Sequence, residues 1–422
     1  MDKMRKTPSV TVWARAGAVA ATLALLAGAV VADAPPSAAA GGTRRGSPGL
    51  PAFYAVPSHL PSDKPGTLIK DERVSSKGVD GTVYRVMYVS ESETGKPIAV
   101  TGLVMVPTTP PPAAGYPVVT WAHGTNGMAP QCAPSLDPGT AVPLQNDLLQ
   151  QGWEVTASDY QGEGTSGLLP YLAGNVSARN TIDIVTAARH LKAAHASDSY
   201  AVWGHSEGGQ TAMFALHIAA SYAPSLHLVG VVAGAPPSQF SVIYTFLKTS
   251  PYRFYLFMAA EGYNIAYGNA AAPLTEVLTA RAIKLQPVLS KGCFTYVEKA
   301  VDKYQLATLV KTNPFALPKW KVLLEANDPE SFTTPSQAPL LIPQGGADEQ
   351  IPVVSTQLLA THLCKIGQDV ERWIYPGKTH AGVIPFYMGD MVHWLSDRFA
   401  GDPNPDPYAP TGVTGVQTST CP

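Results

Sequence analysis

The chain has 422 residues, 45% hydrophobic and 14% charged, with a formal net charge of −2 at pH 7. That is enough apolar material for a large core, and a near-neutral balance with no basic cluster beyond Arg44-Arg45 excludes an electrostatic case for nucleic acid. The 37 glycines and 39 prolines stay below the level of a chain disordered throughout and imply long loops.

The first 40 residues read as a secretory signal. Lys3, Arg5, Lys6 and Arg15 precede an uncharged apolar run from Ala16 to Ala32, and Val30-Val31-Ala32 and Ala38-Ala39-Ala40 are competing cleavage ends. An N-terminal membrane anchor is the alternative, but the run is short for a span. No other stretch approaches transmembrane length, so the mature protein is expected to be secreted. In that setting Cys132, Cys293, Cys364 and Cys421 read as two disulfides, since their spacing suits no metal site. Three pairings exist. Cys132–Cys293 with Cys364–Cys421 is favoured because the second would tie down a loose tail.

Residues 41–70 are rich in Gly, Pro and Ser and read as an extended arm. Val83 to Val89 and Ile98 to Val106 alternate and flank the turn Thr94-Gly95-Lys96-Pro97, an antiparallel hairpin. Val118 to Ala122 is a short apolar strand that ends at His123-Gly124-Thr125. A helix is expected over Leu144 to Gln151, a strand over Glu154 to Ser158, and an amphipathic helix over Thr181 to Ala194. Tyr200 to Trp203 is β-prone, and Thr211 to Ala220 reads as a helix. Between them, Gly204-His205-Ser206-Glu207-Gly208 fits G-x-S-x-G, which makes chemical sense as a sharp strand-to-helix turn holding a serine hydroxyl outward.

Leu228 to Ala233 is a further apolar strand. The alternation then stops from Ser238 to about Gln337, where helical stretches appear at Val242 to Leu247, Leu274 to Leu285 and Val297 to Val310. It resumes at Pro339 to Pro343 and Val370 to Tyr375, with a helix after Pro352 and a last one from Val383 to Phe399. Strands alternating with helices argue for an α/β protein with a mostly parallel sheet covered on both faces. The division is then a signal over 1–40 (cleavage near 32 or 40), a core in two parts (41–237 and 338–400), a helical cap insert over 238–337, and a Pro-rich tail over 401–422. A second compact domain is the alternative reading of the insert. Phe246, Tyr252, Phe254, Tyr255, Phe257, Tyr263 and Tyr267 crowd one part of it, either as an apolar tunnel or as the insert's own core.

A serine hydroxyl needs a base and an acid that orients the base. Asp348 follows a buried strand in Gln344-Gly345-Gly346-Ala347-Asp348, and His380 follows the next strand in Pro376-Gly377-Lys378-Thr379-His380. Their separation accommodates one helix and one strand, which returns the chain to the same sheet edge. Glu349 is the rival acid and His393, inside the last helix, the rival base. The oxyanion is assigned the N–H of Glu207 and a donor after the Val118 strand, Thr125 by choice and Gly124 as the alternative, with His123 as a buttress.

Taken together, the signal, the Ser206 turn, the late Asp348 and His380, the large helical insert and Cys132-Ala133-Pro134-Ser135 after the oxyanion loop resemble the secretory lipase family of the α/β-hydrolase fold, from about residue 50 onward. The resemblance implies a Ser206–His380–Asp348 triad and ester or lipid hydrolysis through an acyl-enzyme; no reading of the chain requires a cofactor or metal, and a monomer is expected. Glu207, an acid directly after the nucleophile, departs from the expected pattern. A secreted peptidase or amidase on the same fold is the alternative, with Glu207 as its anchor for a chain end, and a binding protein that has kept the fold without the reaction is a third.

Overall fold

The computed structural model describes residues 49–402, 410–411 and 413–421. The secretory signal expected over the first 40 residues lies outside them. The chain builds β1 (Leu68–Val74), β2 (Gly81–Glu91), β3 (Pro97–Pro107), β4 (Tyr116–Ala122), α1 (Gln145–Gln150), β5 (Glu154–Ser158), α2 (Gly174–His190), β6 (Ala196–His205), α3 (Glu207–Tyr222) and β7 (His227–Gly234). Seven helices follow: α4 (Phe240–Leu247), α5 (Phe254–Ala271), α6 (Leu274–Val277), α7 (Ala280–Leu285), α8 (Val288–Lys291), α9 (Phe294–Val301) and α10 (Pro318–Ala326). The chain closes with β8 (Leu340–Gly345), α11 (Val353–Lys365), β9 (Val370–Tyr375), α12 (Ile384–Ala400) and β10 (Gln417–Thr420).

All ten strands lie in one sheet of order β1-β2-β3-β5-β4-β6-β7-β8-β9-β10. From β5 to β9 neighbours are parallel, while β1, β2 and β3 at one edge and β10 at the other are antiparallel. The sheet is therefore the mostly parallel one expected. Alternate side chains explain its two covers. Val118, Val202 and Val231 pack with Ile182 of α2 and Met213 of α3, whereas Val119, Trp203 and Val232 pack with Leu148 of α1 and Met391 of α12. Every residue of β5 is buried, which is why that strand shows no alternation.

Three segments differ from expectation. The N-terminal arm is docked, not extended: Phe53 and Tyr54 are buried, the Tyr54 hydroxyl is 2.7 Å from Ser135 Oγ, and the arm runs into β1. The C-terminal tail adds β10 to the open edge of β9, and Cys364–Cys421 fastens it there. In the insert, the stretch from Leu274 breaks at Leu278, which bridges Val310, and Thr279 restarts the helix by accepting the Ala282 N–H. The 18-residue α5, absent from the sequence reading, carries most of the aromatic run. It is apolar on nearly all sides because the other cap helices surround it, so it lacks the one-sided stripe by which a surface helix is recognised.

Candidate active site

Ser206 sits between β6 and α3 with φ 60° and ψ −125°, a conformation that side-chain-bearing residues rarely adopt. Its N–H donates to Gly234 O at 2.9 Å, and its own carbonyl accepts the Gln210 N–H of the first turn of α3. The two motif glycines are there for space. A Cβ on Gly204 would stand 2.1 Å from Gly208 O, and one on Gly208 would stand 1.9 Å from Ala122 O. The serine is thus presented on a turn tight enough that only hydrogen fits on either side.

The loops after β8 and β9 bring the other two residues together. Asp348 Oδ2 lies 2.8 Å from His380 Nδ1, with both side chains buried. Burial works against the Asp348 charge, but the His380 ring and the backbone N–H groups of Ile351 and Gln350 outweigh it and hold the carboxyl below its usual range. Gln344 Nε2 donates a further hydrogen bond to Asp348 Oδ2 at 3.2 Å. The other ring nitrogen, His380 Nε2, is buried and makes no hydrogen bond, so the serine–histidine contact is open in this structure. His205, which precedes the serine, places its ring 4.8 Å from the His380 ring and is held from behind by Tyr387. Burial first, then the neighbouring His380 charge, pushes His205 down to about 3, so it is a neutral packing surface.

The rivals fall elsewhere. Glu349 accepts the His380 backbone N–H at 3.0 Å and leaves the ring to Asp348. It also accepts the Tyr252 hydroxyl at 3.3 Å, while Tyr255 donates to Gln350 Oε1 at 3.0 Å. The insert therefore grips the loop that carries the acid, a contact invisible in the sequence because its partners are about 95 residues apart. His393 is exposed on α12.

The loop after β4 stands beside the serine: a Cβ on Gly124 would lie 3.8 Å from Ser206 Cβ. His123 is buried, stacks on Tyr160 at 4.0 Å and binds Gly124 O through Nδ1, which is the buttress expected of it. Thr125 Oγ1 lies 2.9 Å from the Tyr171 hydroxyl. The Cys132–Cys293 disulfide and the Phe294 N–H on Asn126 O tie this loop to α9 of the insert. Tyr160, Glu163 and Tyr171, which line the underside of the loop, were not singled out from sequence; the Asp159-Tyr160-Gln161-Gly162-Glu163-Gly164 turn after β5 was the available signal.

A narrow apolar cleft runs through the insert between Leu172, Ile243, Tyr255, Ala259, Tyr263 and Leu278. Of the seven aromatics, Tyr255 and Tyr263 line it, Phe254 and Phe257 are buried, and Phe246 is exposed. The cluster is thus partly cleft wall and partly insert core. Among the described residues, no helix is long and apolar enough to cross a membrane.

A family model described as secretory lipase matches residues 140–406. Among characterised relatives, lipase A of Moesziomyces aphidis is 22% identical over 374 residues, covering 83% of this chain and 79% of that protein. The secreted triacylglycerol lipase LIP4 of Malassezia globosa is 25% identical over 386 residues, with 83% and 80% covered. The X-ray structure of Candida antarctica lipase A in its closed state superposes with a TM-score of 0.73 at 21% identity, covering 86% of this chain and 89% of that one, a likeness of fold.

Proposed function

This chain belongs to the secretory lipase family and is a carboxylic ester hydrolase, and from that premise we propose that it is a secreted triacylglycerol lipase or carboxylesterase working through Ser206, His380 and Asp348. The observation that carries the reading is the 2.8 Å bond between buried Asp348 and His380 on loops at the same sheet edge as the strained Ser206 turn. The acid fixes the ring with Nδ1–H toward itself, which leaves Nε2 as the base. His380 Nε2 takes the Ser206 Oγ proton as Oγ bonds to the ester carbonyl carbon, a contact that closes as substrate enters. The carbonyl oxygen becomes an oxyanion between the N–H groups of Glu207 and Thr125. His380 then returns the proton to the leaving alcohol, the acyl-enzyme forms, and water repeats the cycle to release the acid.

The apolar cleft in the insert suits the acyl chain, whose burial there releases water from both surfaces. Residues 238–337 act in this reading as a roof over the site rather than as a separate domain. The first 40 residues direct the chain out of the cell, in keeping with relatives named as secreted. Nothing favours a peptide substrate: Glu207, the expected anchor for a chain end, is buried beneath the oxyanion loop.

Ser206→Ala is expected to fold with an unchanged thermal midpoint and to lose hydrolysis of p-nitrophenyl esters and emulsified triglyceride by roughly 10⁴-fold or more. A fluorophosphonate probe should label the wild type and not the variant. Hydrolysis by Ser206→Ala near the wild-type rate would remove the reading.

A further inference from the structure

Glu207 turns its carboxyl group inward from the first residue of α3. It is 1% exposed, and neither of its oxygens completes a hydrogen bond. Glu163, on the loop after β5, is fully buried and equally unpartnered, with His123 Nε2 3.7 Å from its Oε2. Glu163 and Tyr160 from that loop, Tyr171 from the approach to α2 and Tyr255 from α5 are the titratable groups that face Glu207. Among the described residues no lysine or arginine pairs with either glutamate. The neighbour that favours the Glu207 carboxylate is the Thr125 hydroxyl, itself 2.9 Å from Tyr171 Oη.

A carboxylate with no cation and no full hydrogen bond is not stable at that depth, whereas the neutral acid is. It also has a use. The same two residues that are assigned the oxyanion N–H groups, Glu207 and Thr125, are also neighbours through their side chains, since the Thr125 hydroxyl acts on the Glu207 carboxyl. We propose that Glu207 is a positioning residue working as a neutral carboxylic acid: it steadies Thr125 on the oxyanion loop, and its ionisation switches ester hydrolysis off. As an acid, Glu207 donates its proton to Thr125 Oγ1 and leaves the Thr125 hydroxyl proton for Tyr171. As a carboxylate it would reverse that chain and place a negative charge one residue from the forming oxyanion, where preorganised positive dipoles are required. Burial is the main force holding the proton and pushes the Glu207 group up to about 8, with the Thr125 hydroxyl pulling the other way. Burial, and then Glu207 and Asp159, push Glu163 well above its usual range, so it stays neutral alongside. Burial also pushes His123 down to about 4, so it supplies no compensating positive charge.

The inference rests on the oxyanion assignment of the preceding section. The test is the pH dependence of kcat for p-nitrophenyl butyrate from pH 6 to 10, with the Ser206→Ala rate subtracted as background. Wild-type kcat should fall about tenfold per pH unit beyond roughly pH 8, with KM nearly constant. Glu207→Gln, whose amide cannot ionise, should keep its own plateau to pH 10, whatever its height. Thr125→Val removes the hydroxyl that favours the charged form, so its alkaline fall should move to higher pH. A fall at the wild-type pH in Glu207→Gln, an unmoved one in Thr125→Val, or none in the wild type overturns the proposal while Ser206 labelling still holds the site reading in place. Loss of Ser206 labelling by the fluorophosphonate would overturn both.

Discussion

Asp348 and Glu207 are two buried acids within one site, and they are expected to differ in charge, Asp348 ionised and Glu207 neutral. Asp348 is 8% exposed and Glu207 1%, so burial alone does not separate them. The difference is in what surrounds each carboxyl. Asp348 receives a ring nitrogen, a side-chain amide and two backbone N–H groups, which together override the cost of burying its charge. Glu207 has one favourable neighbour, the Thr125 hydroxyl, and no completed hydrogen bond, with another acid and phenols around it. The number of donors aimed at a carboxyl, more than its depth, sets its charge. The first arrangement suits a group that must stabilise an imidazolium, and the second suits one that must not repel an oxyanion.

The largest expected effect comes from breaking the first arrangement. Asp348→Asn keeps the shape but offers His380 a donor in place of an acceptor, which favours the wrong tautomer. It should lower kcat by about 10⁴-fold with little change in KM, measured on a soluble ester. A loss below tenfold would mean that another acid, Glu349 first, orients the ring.

A third acid tests the second arrangement away from the chemistry. Glu154, at the start of β5, is fully buried with both oxygens unpartnered, and burial pushes it from 4.5 up to about 8. The folded state then holds a proton that the unfolded chain releases above about pH 4.5. Its contribution is complete below that pH, declines as pH rises towards 8, and is flat beyond. At about 1.4 kcal/mol per pH unit, roughly 5 kcal/mol is the upper figure. Glu154→Gln should match the wild type near pH 4.5 and exceed its stability at pH 8.5 in denaturant unfolding. Equal slopes in the two proteins would show that Glu154 is solvated when folded. Asp183, Asp159 and Asp328, also raised by burial, add slope of the same sign in both.

The smallest effect sharpens the boundary between the arrangements. Glu349 keeps its charge: burial opposes it, but the His380 N–H holds it below its usual range. It links that N–H to Tyr252 of the insert. Glu349→Ala should lower kcat by a few-fold to about tenfold by loosening the histidine loop, and Tyr252→Phe should cost less, since it removes only one long hydrogen bond, 3.3 Å, to a Glu349 that stays in place. No change in kcat for Glu349→Ala would show that the loop is held by Asp348 alone.

Much of this site was legible residue by residue. The glycines around Ser206 announce a turn in which a Cβ would strike backbone, and the strands ending before Asp348 and His380 announce the loops that carry them. The disulfide pairing favoured from the loose tail, Cys132–Cys293 with Cys364–Cys421, is the one formed. The insert was legible as helical, but α5 was not, because a helix enclosed by other helices has no polar side to mark its period. The edge strands β1 and β10 were missed for a related reason. Both are mostly polar segments whose pairing depends on a neighbouring strand being open, not on their own alternation.

The sequence by itself determined what depends on neighbours along the chain: the mostly parallel α/β sheet, the serine turn, the loops that carry Asp348 and His380 after their strands, and the helical insert that precedes them. The tertiary structure alone decided what depends on neighbours across space. It set the hold of Tyr252 and Tyr255 on the acid loop, the seat of His123 on Tyr160, and the charge of each buried acid. The physical reason is that backbone geometry answers to local sterics and periodicity, whereas the energy of a charge answers to the donors, cations and water within a few ångströms. For Glu207 those neighbours come from the loops after β4 and β5 and from a helix of the insert.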